Sequence, residues 1–495
     1  MPDGRPLVSL ASVQGRWLLT AAVLGSGLTG IDATVVNVAL PAIGASLDAP
    51  FSTLQWVVLA YTLTLAAFIL VGGALADRYG RRRIFVVGVV WFAGASLLCG
   101  LAPTGEVLVV ARAFQGIGGA LLTPGSLAII QASMAPADRA RAIGAWSGLS
   151  GVATAVGPLV GGILVDIVSW RWVFLVNVPL AAVVVWVAAR HVPETRDADA
   201  PGRVDWTGAL VGAVALAGIS AALIEGTGEG SALWSWAGVV GIAAAVAFVV
   251  VERRSTHPMM PLSIFSSRQF SAANLVTFVV YGAFGVVFFL LLIQLQVVSG
   301  YGPVAAGVAM LPVTVLMLLL SPRSGELASR IGPRLQMTTG PLLCAVALLL
   351  MLRIGPDARY LTDVLPPVTV FGLGLAVMVA PLTATALASA PAEHAGLASG
   401  VNNAVARTGS LLAVAAVPTL AGISGQVYED PAAFDRGFAV AMWVSASALV
   451  VGGVLAWLTI RAEVAAPEAR EPAPARRPPP QCAVGAPPLA PPPDR

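Results

Sequence analysis

Three ionisable side chains, Asp32, Arg112 and Arg407, stand inside long apolar runs of the sequence. A carboxylate stripped of water is costly, and taking up a proton or meeting a cation lowers that cost. Asp32, near the middle of its run, is therefore suited to exchanging a proton for a cationic or polar ligand. The plainer alternative, a permanently paired packing residue, stays open. At helical spacing Arg112, Gly116, Gly119 and Thr123 fall on one stripe, with Gln115 at its edge. A small, polar stripe below an arginine suits a wet cavity better than lipid. A blander alternative, not exclusive of a role in the cavity, is that Arg112 merely neutralises Asp32.

A further group is repeated. Gly73-Ala-Leu-Ala-Asp77-Arg78-Tyr79-Gly80-Arg81-Arg82 returns at 325–334 with six of ten positions identical. Gly80 allows a sharp turn, and the arginines hold that turn on one side of the bilayer. Asp77, beside the membrane, needs an arginine or a helix N-terminus as partner; Ser329 replaces it in the second copy, so any latch built on it is asymmetric. A solvated basic loop would account for the arginines but for neither the glycines nor the acid. In 153–162, Ala153, Gly157 and Gly161 form a small-residue stripe for close helix approach, and Pro158 leaves the Thr154 carbonyl without its helical partner. With Gly162 the group fits a hinge or sliding contact. Near the C-terminus, Ser399, Asn403, Arg407 and Ser410 share one helical face beside Asn402, with Arg407 roughly 16 Å along its helix. Either a ligand or backbone carbonyls would satisfy Arg407. Asn37, Trp56, Tyr61 and Gln294 are weaker cavity candidates.

These residues must be positioned by membrane helices. Of 495 residues, 57% are hydrophobic and 11% charged, too apolar a balance for a soluble domain of this length. Fourteen runs of roughly 20 apolar residues are legible. The first is too long for a signal peptide and holds Asp32, so it counts as a span. With the N-terminus inside, only Arg171, Arg353, Arg359 and Arg436 fall in outer loops, while most of the 28 basic residues lie inside. An odd number of spans would scramble this bias. The two repeat copies lie further apart than one six-helix half requires, which places an insertion between halves. The expected division is 1–195 for the first six-helix bundle, 196–262 for two inserted helices, 263–461 for the second bundle, and 462–495 for a Pro- and Arg-rich disordered cytoplasmic tail. Cys99, Cys344 and Cys482 are too scattered for a disulfide framework, and His191, His257 and His394 for a metal site. The small net charge of +3 reports topology rather than nucleic-acid binding.

Four stretches carry a family resemblance. Gly73–Arg83 looks like the loop signature of the major facilitator superfamily. Ile31–Pro41, with Asp32 and Asn37, is similar to the first-helix motif of its 14-span drug:proton antiporters. Ala111–Ala120, with Arg112 and Gln115, resembles their fourth-helix motif, and Gly157–Gly162 their fifth-helix antiporter motif. Ser399–Gly409 is also similar to a pattern of that family. The resemblance covers about residues 15–460. It implies an all-α integral membrane fold of two six-helix bundles plus two extra helices, with proton transfer assigned to Arg112. It also implies a proton-coupled antiporter exporting lipophilic, often cationic drugs or antibiotics by alternating access, since the Gly-Pro element marks exporters. Partners would be a small-molecule substrate, protons and lipid, with no nucleic acid, no cofactor beyond the proton gradient, and a functional monomer. The location would be the bacterial cytoplasmic membrane, with both termini cytoplasmic. A dedicated exporter of one antibiotic or metabolite, a nutrient importer and a non-transporting receptor are the alternatives. No nucleophile–base pair or phosphate loop points to an enzyme.

Overall fold

A computed structural model describes residues 7–196, 204–226, 231–255, 258–389, 395–423 and 430–462. The tail expected at 462–495 lies outside them except for its first residue. Among the described residues the chain is helical, with one isolated backbone bridge between Val8 and Met134. Fourteen long helical segments follow one another. They are α1 (Val13–Leu47), α2 (Phe51–Tyr79), α3 (Arg81–Gly100), α4 (Gly105–Ser133), α5 (Pro136–Ile167), α6 (Trp172–His191) and α7 (Trp206–Glu225). The series continues with α8 (Ser231–Arg254), α9 (Arg268–Val298), α10 (Pro303–Ile331), α11 (Arg334–Met351), α12 (Tyr360–Ala388), α13 (Ala395–Leu420) and α14 (Pro431–Thr459).

All except α13 are apolar enough over 18 residues to cross a bilayer. Helix α13 is long enough at 26 residues, but Asn402, Asn403, Arg407 and Ser410 dilute its apolar character. That polarity is tolerable only where protein or water, not lipid, faces the side chains. The chain is a multi-pass membrane protein.

The first six helices and the last six pair alike. Helix α2 packs on α4, α3 on α4, α1 on α5, and both α1 and α3 on α6. In the same order α10 packs on α12, α11 on α12, α9 on α13, and both α9 and α11 on α14. Helices α7 and α8 pack on each other, and α7 lies against α2 and α13, beside the seam between the two groups.

That seam is tight at the end away from Gly80. There Gln55 Nε2 donates to the Val414 carbonyl at 2.9 Å and Gln296 Nε2 to the Val38 carbonyl at 3.0 Å. The Phe51 ring meets Phe289 and Phe434 with centroids 5.6 and 6.3 Å away. The α5 face carrying Gly144, Gly148, Gly151, Pro158 and Gly162 shows the asymmetry best. At Gly162 an added Cβ would lie 2.6 Å from the Pro303 carbonyl oxygen of α10, whereas at Gly144, Gly148 or Gly151 it would meet nothing within 4 Å. One face is gripped at the far end and bare toward the Gly80 end, where α5 stands clear of the opposite group while α2 and α13 still touch at Leu70 and Gly400; this one-sided opening along α5 is the cleft of the bundle.

Candidate functional site

Five helices converge on Asp32. Its Oδ2 accepts from Arg112 Nη1 at 2.5 Å, and its Oδ1 accepts from Gln115 Nε2 at 2.7 Å and Asn177 Nδ2 at 3.0 Å. Arg112 Nη1 also reaches Gln115 Oε1 at 2.6 Å, and its Nε donates to the Val57 carbonyl of α2 at 3.0 Å. Ser96 Oγ of α3 accepts from Gln115 at 2.7 Å. The guanidinium carbon lies 4.3 Å from the centre of the Tyr61 ring. Asp32 is 0% exposed and Arg112 1%. Two ions so far from water are tolerated only with pairing and hydrogen bonds on the remaining oxygens and N–H groups. Spacing placed Arg112 and Gln115 three apart on α4, so both meet one acid.

Asn177 and Ser96 are site residues that sequence reasoning missed. Asn177 begins the longer part of α6 just ahead of Pro179, and an amide in so apolar a run was its only signal. Ser96 had none, since serine is common in membrane helices.

The wet stripe expected on α4 is not there. A Cβ on Gly116 would strike Thr64 and the Tyr61 backbone, and one on Gly119 would come within 3.1 Å of Leu65. These glycines bring α4 against α2, and Thr64 Oγ1 seals the contact by donating to the Ala113 carbonyl at 2.8 Å. Asp32 and Arg112 are thus locked inside the first bundle in this conformation rather than lining the cleft.

At the turn between α2 and α3, Asp77 Oδ1 accepts from Arg81 Nε and Nη2 at 2.9 and 2.7 Å, the intra-loop partner it needed. Arg78 lies over the Tyr79 ring. Gly80 has φ +112°, and a Cβ there would lie 2.6 Å from Glu194 Oε1. Glu194, a residue the sequence did not single out, caps α3 by accepting from the Arg82 and Arg83 backbone N–H groups at 3.1 Å each. Arg82 Nη1 donates to the Val192 carbonyl at 3.2 Å. In the second copy the acid and base are an exposed Arg330–Glu326 pair within the last turns of α10, not across the turn at Gly332, so the two turns differ as Ser329 implied.

In α5, a Cβ on Gly157 would strike Thr34 and one on Gly161 would lie 2.7 Å from Val35 Cγ2, both on α1. The Thr154 carbonyl left unpaired by Pro158 accepts from Thr34 Oγ1 at 2.9 Å. The Pro158 carbonyl abuts Gly307 of α10, and Gly162 abuts Pro303. This motif joins α1 to α5 and the two helix groups to each other.

The C-terminal candidates separate. Gln294, expected in the cavity, is buried and donates to the Ile354 carbonyl at 2.7 Å and to Asp435 Oδ1 at 2.6 Å, in a π-helical turn closing α9. Asn402 is buried too, donating to Asn274 Oδ1 and Thr277 Oγ1 at 3.2 Å each. Their amides each need several partners, and neighbouring helices supply them. Asn403 is exposed and donates to the Ser399 carbonyl. Arg407 is partly exposed, with no carboxylate partner among the described residues. Asn37 is buried on α1 with its Oδ1 unpartnered.

A membrane bundle with a cleft on a pseudo-repeated seam and an ion pair buried in one wall is the architecture of an alternating-access transporter. The family model described as Major Facilitator Superfamily matches residues 22–414, and the chain belongs to that superfamily. It is 39% identical over 411 residues to the multidrug resistance protein Stp of Mycobacterium tuberculosis, covering 80% of this chain and 74% of that one. It is 37% identical to the puromycin resistance protein pur8 of Streptomyces alboniger, covering 92% and 94%. Among solved structures, an inward-facing, occupied bacterial homologue of the human lysosomal transporter Spinster matches with TM-score 0.66 at 17% identity, covering 92% of this chain and 98% of that one. A peptide transporter of the POT family also matches at TM-score 0.66 and 14% identity, covering 89% and 93%.

Proposed function

We propose that this chain is a proton-coupled antiporter exporting lipophilic, often cationic drugs or antibiotics across the bacterial cytoplasmic membrane. It works by alternating access, as a monomer with both termini cytoplasmic, and uses the proton gradient rather than a cofactor. The observation that carries the reading is the buried Asp32–Arg112 pair with its Gln115, Asn177 and Ser96 partners. A buried ion pair contributes little net stability compared with apolar residues of similar volume, so a role in moving charge accounts for it better than packing does. Protonating Asp32 removes the charge that holds Arg112, while Gln115 Oε1 and the Val57 carbonyl keep the guanidinium solvated by protein. The pair can therefore loosen without stranding a bare charge, and the α1–α4 contact loosens with it. With the Gly80 end cytoplasmic, as the arginine bias expects, the cleft faces inward and is ready to load.

The test is drug-driven proton release in everted vesicles from cells making wild type or Asp32→Asn. Loss of coupled release in the variant, with unchanged membrane abundance, is expected; undiminished coupling would sink the proposal. A second reading, export of a single antibiotic, is favoured by relatives named for one compound, such as the methylenomycin A resistance protein of Streptomyces coelicolor. A susceptibility panel in which only one compound class responds to expression would establish it.

A further inference from the structure

The charge balance around the cleft is uneven. Asp32 is fully engaged by Arg112, Gln115 and Asn177, so it leaves no free negative charge for a cation in this conformation. Arg407, on α13 of the second group, has no carboxylate partner among the described residues. Helix α13 lies against α2, which carries Tyr61, and against α9, which carries Tyr281. The Gln55–Val414 hydrogen bond and the contact of Gly400 with Leu70 bracket Tyr61 and Arg407 along the α2–α13 contact, and among the described residues no carboxylate lies within electrostatic reach of Arg407. Its Nε is enclosed without a hydrogen-bond acceptor. The Tyr61 hydroxyl is likewise enclosed and unpartnered, on a side chain only 2% exposed. Arg407 and Tyr281 are themselves partly exposed. Two donors without acceptors, one of them permanently cationic, border one part of the seam.

Buried donors left unpaired are unfavourable, and an arginine fork matches an oxyanion in both charge and shape. We infer that Arg407 and the Tyr61 hydroxyl form an oxyanion subsite at the seam between α2 and α13, and that the cargo includes lipophilic compounds bearing a carboxylate, phenolate or enolate. The inference deepens the proposed export by naming a substrate class and rests on that reading for the transport route, though not for binding. Tyr61 stands between the two arginines along α2, its ring over Arg112 and its hydroxyl beside Gly119 of α4.

Equilibrium binding to the full-length protein in nanodiscs tests the subsite, with anthracene-2-carboxylate and its methyl ester as matched fluorescent probes. Wild type is expected to bind the acid at least tenfold more tightly than the ester. Arg407→Gln should weaken acid binding about tenfold or more, the size of one charged hydrogen bond, and leave the ester unchanged. Arg407→Lys should keep a reduced preference for the acid, and Tyr61→Phe should weaken the acid alone. Equal affinities for the two probes in wild type, no binding of either, or parallel loss of both in Arg407→Gln would overturn the subsite. Acid-selective binding without proton flux toward any compound would instead refute the antiport reading and leave the subsite standing.

Discussion

Arg112 spreads its donors over three acceptors on three helices: Asp32 Oδ2, Gln115 Oε1 and the Val57 carbonyl. Only a planar fork reaches all three, since a lysine ammonium is a single point on a flexible stem. Arg112→Lys therefore keeps the charge and loses the simultaneous contacts. We expect proton-coupled efflux to fall at least about tenfold while the protein still reaches the membrane, measured as drug-driven proton release normalised to protein. Wild-type coupling in that variant would show that charge alone suffices. The tyrosine beneath Arg112 packs its ring on the guanidinium and adds a cation–π contact to the ion pair and hydrogen bonds that make the cluster tolerable in so apolar a bundle.

At the scale of elements, helix ends are tied by acids that come from distant segments. Glu194 crosses from the end of α6 to cap α3, and Asp138 at the start of α5 holds the segment ahead of α1. Asp138 Oδ2 accepts from the Leu10 N–H and the Ser9 hydroxyl at 2.9 Å each. The Leu10 hydrogen bond first, then that of Ser9, hold its carboxyl below the ordinary carboxylate range. A depressed folded-state value means the tie is at full strength above the ordinary pKa and is lost as pH falls through the depressed one. Hydrogen exchange in residues 8–12 should stay slow at neutral and mildly acidic pH and rise only below the ordinary carboxylate range. Asp138→Asn should remove that acid step, and an unchanged profile would exclude the carboxyl as the tie.

For the whole molecule, α5 is one of the elements on which the two helix groups meet, beside α1 and α2. Gly162 touches α10 at one end of its face, while Gly144, Gly148 and Gly151 have open space at the other. Closing the cleft requires that bare stretch to meet the opposite wall, because the packing density of a helix contact depends on small residues there. Gly148→Trp is expected to leave substrate binding intact and cut turnover by more than about tenfold, since bulk in the closing face blocks only the second state. Full transport by Gly148→Trp would place the closing contact elsewhere. The pairing order repeats in α1–α6 and α9–α14, with α7 resting on both groups.

The sequence alone determined that this chain lives in a bilayer, because apolar runs and arginine bias are properties of composition along the chain. It also located the turn at Gly80, the α5 glycines, and Asp32 with Arg112 and Gln115, because charge and glycine in hydrocarbon are legible wherever they occur. Only the tertiary structure decided which of these meet. It recruited Asn177, Ser96 and Glu194, whose residue types are unremarkable until distant helices bring them to an acid or a helix end. It withdrew Gln294 and Asn402 into helix contacts, and it turned the α4 stripe from cavity lining into a seam with α2. Side-chain polarity is written in sequence, but its partner is chosen by packing, and in a membrane the partner decides whether a polar group serves structure or exchange.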